Sequence, residues 1–505
     1  MTNTEKIPKR ILGTLLSAVS AGVVPRSGAP YIAIGRVEEI ASLTDDLARV
    51  ADGEGVTRFI IGRYGSGKSF LIQLMRTYAA ERGFVTADCD LSPERRLYGA
   101  GGLNTYKELI RNLSCKSSPD GGALTAVIGR LYSSVTEGLA AEGHSPADAD
   151  FSSLVTARII RETRELEGQV GGFDFALVVS EYCRAWGEGD DGKMSACLRW
   201  LRGEYANKTE ARRDLGLRAV SVIDDTNWYD HIKLICALVR RVGYAGLCVF
   251  IDEGVNLYKI TNRISREANY EKILSMYNDA MQGKAEGLMI VFGGTPQFLE
   301  DTRRGLFSYE ALRSRLSDGR FKEAAEADGL RSMMGPVIRL RRLSQAELFA
   351  LMMRISSLHG RYYGWEVRVT DGEMEDFLTR STSRAGADSM ITPREIIRDF
   401  VTLLDLLYQN PDRTYQELVS RRDETSGRPA VEKAGDVQST DGGQSTDGGQ
   451  STDGGQSTGG GYRTNGESAG TNTPAPAGTD KPNGTPLAAN PGGEARKITM
   501  DDIVF

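Results

Sequence analysis

The sequence predicts an α/β fold: a core with a parallel sheet, a large helical insertion, a C-terminal helical lid and a disordered Gly/Ser/Thr-rich tail. Three observations predict it. Short uninterrupted apolar runs at 59–61, 247–251 and 288–292 read as strands buried on both faces, which lose the alternation of half-exposed strands. Between and after them, apolar residues recur at helical spacing. From Ser426 onward the chain holds 17 of its 58 glycines, and between 426 and 486 its large apolar side chains are Val431, Val437 and Tyr462.

Composition narrows the function classes. The 505 residues are 40% hydrophobic, enough for a buried core and two to four domains. The net charge of −6 argues against a polybasic nucleic-acid binder, and the segment from Ser426 carries −4 of it. Six cysteines form no C-x-x-C pair and only three histidines are present, so a zinc site, a disulfide framework or histidine-based catalysis is not expected. No run reaches the roughly 18 apolar residues of a membrane span, and the expected location is the cytoplasm.

In chain order, residues 1–34 read as a first helix and lead-in. Lys9-Arg10 ahead of an apolar stretch superficially resembles a signal peptide, but Ile11, Leu15, Val19 and Val23 recur at helical spacing and favour an amphipathic helix. The core spans 35–343. Its first strand runs directly into Gly62-Arg-Tyr-Gly65-Ser66-Gly67-Lys68-Ser69-Phe70, and apolar residues then follow on one helical face. Strand, G-x-x-x-x-G-K-S and helix form a phosphate-binding loop: the glycines let backbone N–H groups turn inward at a helix N-terminus. Lys68 is expected on the β- and γ-phosphates of ATP, and Ser69 on Mg²⁺. Gly62, Gly65, Ser66, Gly67 and Phe70 complete the expected nucleotide contacts.

The 247–251 run ends in Asp252-Glu253. Asp252 is placed to hold Mg²⁺ through water, and Glu253 to polarise the attacking water. After the 288–292 run, Thr295 reads either as a sensor of the γ-phosphate or as a cap in a Gly-Pro turn. Arg313 and Arg315 read either as a finger for a neighbouring subunit's ATP or as a charged helix face, with Arg315 preferred as the finger. Three helices then form the lid over 344–425, and Arg394, at the start of the third, is a candidate γ-phosphate contact or a solvated arginine. Roughly 180 residues separate Ser69 from Asp252, more than a minimal core needs, and about 100–225 reads as a helical insertion. Nine arginines between 303 and 342 could meet DNA phosphates or line an intersubunit site.

The tail, 426–494, repeats QSTDGG three times with a decayed fourth copy and reads as a flexible linker. The apolar end, 495–505, reads as a docking peptide or a frayed terminus.

This order of motifs resembles the AAA+ type of P-loop ATPase. It is closer still to the ATP-binding proteins of BREX and related bacterial anti-phage systems. The residues that carry the resemblance are Gly22-Val-Val-Pro25-Arg26, Gly35-Arg36, the loop 62–69, the run 243–253 ending in Asp252-Glu253, Phe292-Gly-Gly-Thr-Pro-Gln297 and Tyr309-Glu-Ala-Leu-Arg-Ser-Arg-Leu316. The resemblance covers about 8–410. It implies ATP hydrolysis, a homo-oligomer, and protein partners from a defence gene cluster such as a helicase or modification enzyme. Its role would be that of a motor or switch; the alternatives are a slowly cycling regulatory scaffold and a DNA-binding helicase loader.

Overall fold

The computed structural model describes residues 7–99, 101–163, 169–319, 332–382 and 392–426, with side chains described to 420. Residues up to Leu418 group as one unit, and Val419–Lys497 group separately. The expected linker and docking peptide lie outside the described residues, as do Arg320 and Arg331.

Five parallel strands form the sheet: β1 (Val56–Ile61), β2 (Val85–Asp90), β3 (Leu247–Asp252), β4 (Leu288–Gly294) and β5 (Val337–Arg339), in the order β2-β3-β4-β1-β5. β1, β3 and β4 are buried throughout; the apolar runs suit this, and in β1 the buried Arg58 is paired with Asp46. The pleat still sorts their side chains. Ile60, Cys248, Phe250, Met289 and Val291 join one core, while Phe59, Ile61, Val249, Ile251 and Phe292 join the other. β5 was not foreseen: its three residues make their strand pairing to β1 alone.

The helices run in chain order. α1 (Lys9–Ser20) and α2 (Val37–Ala51) precede β1, and α3 (Lys68–Glu81) follows it. Between β2 and β3 come α4 (Gly102–Arg111), α5 (Leu124–Ala141), α6 (Phe151–Thr163), α7 (Gly172–Glu188), α8 (Asp191–Leu201), α9 (Lys208–Leu215) and α10 (Trp228–Arg241). α11 (Val255–Tyr258) and α12 (Arg263–Met281) lead to β4, and α13 (Pro296–Glu300) and α14 (Glu310–Leu316) follow it. α15 (Gln345–Tyr363), α16 (Asp371–Thr382), α17 (Pro393–Gln409) and α18 (Tyr415–Ser426) close the described chain.

α2 and α3 cover one sheet face through Leu43, Leu47, Leu71 and Met75. The other face shares a continuous core with α5, α7, α8, α10 and α12, so the helices between β2 and β3 build on the sheet. α1 packs on α15 and α17. Its buried residues are Leu12, Leu15, Leu16 and Val19: Leu15 and Val19 of the expected stripe are buried, Ile11 is half-buried, and Val23 lies past the helix and is exposed. All six cysteines are free and buried.

Candidate functional site

The sheet order places β4 between β1 and β3, so three strand ends meet along one edge. Ile61 is in register with Gly294, and Asp90 with Asp252. Ligands of open α/β sheets bind at such carboxyl ends.

From β1 the chain enters the glycine loop, where the Gly62 N–H donates to the Gly294 carbonyl at 3.0 Å. Gly65 and Gly67 take left-handed φ values of 75° and 88°, a conformation that side chains with a Cβ adopt at a cost. A Cβ on Gly62 would lie 2.2 Å from Ser66 Oγ, and one on Gly65 would lie 2.4 Å from the Thr392 methyl. Ser66 Oγ is buried and has no hydrogen-bond partner among the described residues. Lys68 opens α3, largely buried, with its ammonium 5.5 Å from the centre of the exposed Tyr64 ring.

Across the edge, the Ser69 hydroxyl donates to Asp252 Oδ2 at 2.8 Å. Asp252 is buried, and its Oδ1 accepts the Glu253 N–H at 2.7 Å. Glu253 is the described non-glycine residue with a positive φ, 58°. Gly293 makes the carboxylate's position possible, because a Cβ there would lie 2.2 Å from Asp252 Oδ1. The sequence reading missed this role; its one signal was a glycine inside an apolar strand end. Burial, with Asp252, Asp88 and Glu253 nearby, raises the Asp90 carboxyl above its ordinary range. The Tyr64 phenol is likewise raised, by burial and then by Glu253 and Asp252.

A cavity of about 640 Å³ surrounds the loop. Residues 64–70 and Glu253 form its floor, residues 21–25 with Ile32 and Ile34 one wall, and Leu351, Ile397, Arg394 and Arg398 the other. Arg394 therefore reaches the loop's cavity, and Arg398, to which no role was given from sequence, stands beside it. Thr295 is buried and caps α13, its Oγ1 accepting the Phe298 N–H at 3.4 Å. That cap uses a lone pair and leaves the hydroxyl hydrogen for donation. Arg315 is not among the cavity's lining residues: it donates to Asn278 Oδ1 at 3.2 Å and to the Ala311 carbonyl at 2.7 Å.

The other arginines of that region are mostly engaged as well. Arg339 pairs with Glu300 and Asp318, Arg341 with Glu347, and Arg304 donates to the Ile260 carbonyl. Arg303, Arg313, Arg315, Arg341 and Arg342 are nonetheless solvent-exposed.

The chain belongs to the family of BREX system ATP-binding proteins BrxC/D, whose model matches residues 7–423. It is thus an ATP-binding component of a BREX defence system. No curated protein matches it. No helix among the described residues is long and apolar enough to cross a membrane.

Proposed function

Starting from that membership, we propose that the chain is an AAA+-like P-loop ATPase, hydrolysing ATP with Mg²⁺ as a motor or switch of the defence system. The observation that carries this reading is the Ser69–Asp252 hydrogen bond, which joins the glycine loop to the acidic strand end across 183 residues. Hydroxyl and carboxylate oxygens suit a hard cation, and Mg²⁺ characteristically takes one or two protein oxygens plus phosphates and water. Bound there, Mg²⁺ would neutralise charge on the β- and γ-phosphates.

The loop N–H groups cradle the phosphates and Lys68 swings from the Tyr64 ring onto them. Phe70 and Ser66 line the same floor. The apolar walls formed by Ile32, Ile34, Leu351 and Ile397 receive the base. Glu253 accepts a proton from the attacking water, and Thr295 donates its hydroxyl hydrogen to that water or to the γ-phosphate. Arg394 contacts the γ-phosphate within the chain. Arg315, outside the cavity, acts on the ATP of a neighbouring copy in a homo-oligomer. The defence cluster's helicase or modification enzyme is the proposed protein partner, with DNA met directly or through it.

Binding of a fluorescent ATP analogue and steady-state hydrolysis test the reading. Lys68→Ala is expected to weaken Mg·ATP binding about a hundredfold, the loss of charge-assisted phosphate contacts. Glu253→Gln is expected to bind ATP and to lose roughly 10²–10⁴ in kcat. A wild-type protein that binds no ATP in the presence of Mg²⁺ overturns the proposal.

A further inference from the structure

Arg36 belongs to a motif that the proposed chemistry leaves unused. It lies just before α2, 4% exposed, and a buried guanidinium is costly unless every donor is engaged. Its Nη2 donates twice, to the Ser66 carbonyl at 2.7 Å and to the Arg341 carbonyl at 2.6 Å. Its Nη1 donates to Glu39 at 3.3 Å. Burial lowers its affinity for the proton, while Glu39 and then Glu347 oppose that shift.

The Ser66 carbonyl and the Gly67 N–H share one planar peptide unit and point in opposite directions. Holding the carbonyl toward Arg36 therefore turns the Gly67 N–H the other way. Sterics do little to hold that peptide: Gly67 has φ 88°, and a Cβ built on it would meet no atom within 4 Å. A peptide bordered by glycine on such open ground turns easily. If it turned, a carbonyl lone pair would face the phosphates where a donor is needed.

The second bond reaches the segment between β5 and α15. Arg341 follows β5 and pairs with Glu347, whose carboxylate caps α15 by accepting the Ser344 N–H. The same carboxylate lies against Gly35, where a Cβ would come within 2.6 Å of it.

We propose that Arg36 is a positioning residue: one guanidinium nitrogen sets the direction of the 66–67 peptide of the glycine loop and ties that loop to the start of α15. This rests on the ATPase reading above and adds a residue at the cavity wall that acts on the phosphates through the loop peptide it holds. A shorter lysine side chain with a tetrahedral ammonium cannot hold the two carbonyls and the Glu39 carboxylate from one rigid plane, as Nη2 and Nη1 do, so lysine is not a conservative replacement.

The test is steady-state ATP hydrolysis with Mg²⁺ by wild type, Arg36→Lys and Arg36→Gln, each accompanied by thermal unfolding of the nucleotide-free protein. A misdirected Gly67 N–H weakens phosphate binding in ground and transition states alike, so KM should rise about tenfold or more with kcat changed less than about threefold. A merely structural role would do the reverse, lowering apparent kcat through a smaller folded fraction at unchanged KM. Should Arg36→Gln fail to fold, Arg36→Lys supplies the same split. Unchanged KM in a folded variant overturns the role of Arg36 alone. A wild type that neither binds nor hydrolyses ATP overturns the ATPase reading with it.

Discussion

Gly293→Ala places one carbon where Asp252 needs space. The new Cβ would lie 2.2 Å from Asp252 Oδ1, 2.8 Å from Cγ and 3.1 Å from the Ile72 Cδ1 methyl. An ordinary carbon–oxygen contact is about 3.3–3.6 Å, so the carboxylate must retreat by about 1 Å. The backbone has little room to yield, because β4 lies between β3 and β1 and Gly293 itself stands in register with Ile60. Retreat disturbs both carboxylate hydrogen bonds, from the Glu253 N–H at 2.7 Å and the Ser69 hydroxyl at 2.8 Å. Overpacking costs about 1–3 kcal/mol and each disrupted hydrogen bond to a charged group about 1.5–3 kcal/mol, so roughly 2.5–6 kcal/mol is at stake with one of the two bonds lost. The assay is thermal unfolding together with ATP affinity measured in Mg²⁺ and in EDTA. Tm should fall by several degrees, and the gain in affinity that Mg²⁺ provides should shrink, with affinity in EDTA little changed. Gly294→Ala is the control, since its Cβ would meet the Phe298 ring at 2.3 Å instead. It should lower Tm and keep the Mg²⁺ gain. A Gly293→Ala protein with wild-type Tm and an undiminished Mg²⁺ gain refutes the reasoning.

Two further outcomes follow from buried charge and buried sulfur. Asp46 and Arg58 are buried partners at 2.5 and 2.9 Å, so Asp46→Ala strands a cation and should cost about 3–5 kcal/mol in chemical denaturation, with Asp46→Ala/Arg58→Met recovering part of it. Burial pushes the thiols of Cys89, Cys183, Cys197 and Cys236 up to about 12, whereas Cys115, raised by burial, is brought below its ordinary value by hydrogen bonds from Ser117 and Tyr244. The thiolate is the attacking form, so at pH 8 a disulfide reagent should label Cys115 ahead of those four, as mass spectrometry would read.

What could be read from sequence follows the range of the forces involved. β3 and β4 were legible because burial on both faces leaves a long apolar run, and β1 because its last three residues, Phe59–Ile61, do so just ahead of the glycine loop. β5 was not: Val337 and Ile338 are two apolar residues whose partners, Phe59 and Ile60, lie far back in the chain. Loop chemistry was legible at 62–69 because glycine, lysine and serine must stand at fixed spacing. Gly293 looked like turn punctuation, since its purpose is set by a carboxylate on the neighbouring strand. Arg339 looked like part of a basic surface until Glu300 and Asp318 were placed beside it. Periodicity put α1 in place and found Leu15 and Val19 but not Leu12 and Leu16, because α15 and α17 decide how wide a face is buried.

Those same contacts bear on how ATP binding would be felt. The sheet edge supplies the loop and the acids, but the walls of the cavity come from residues 19–36 and 343–398, which are not part of the sheet. α1 packs on α15 and α17, and the Thr392 methyl at the start of α17 sits against Gly65. A ligand that filled this cavity would therefore touch the N-terminal segment, the loop and the C-terminal helices at once. A ligand that binds the folded state at a hundred times its Kd adds about 2.7 kcal/mol of stability. Here that increment opposes any opening that separates the walls. Under the proposed reading, loss of the γ-phosphate would remove the partner of Arg394 and leave the β-phosphate on the loop, so hydrolysis would weaken the C-terminal wall's hold more than the floor's. That asymmetry is what a nucleotide-driven switch requires.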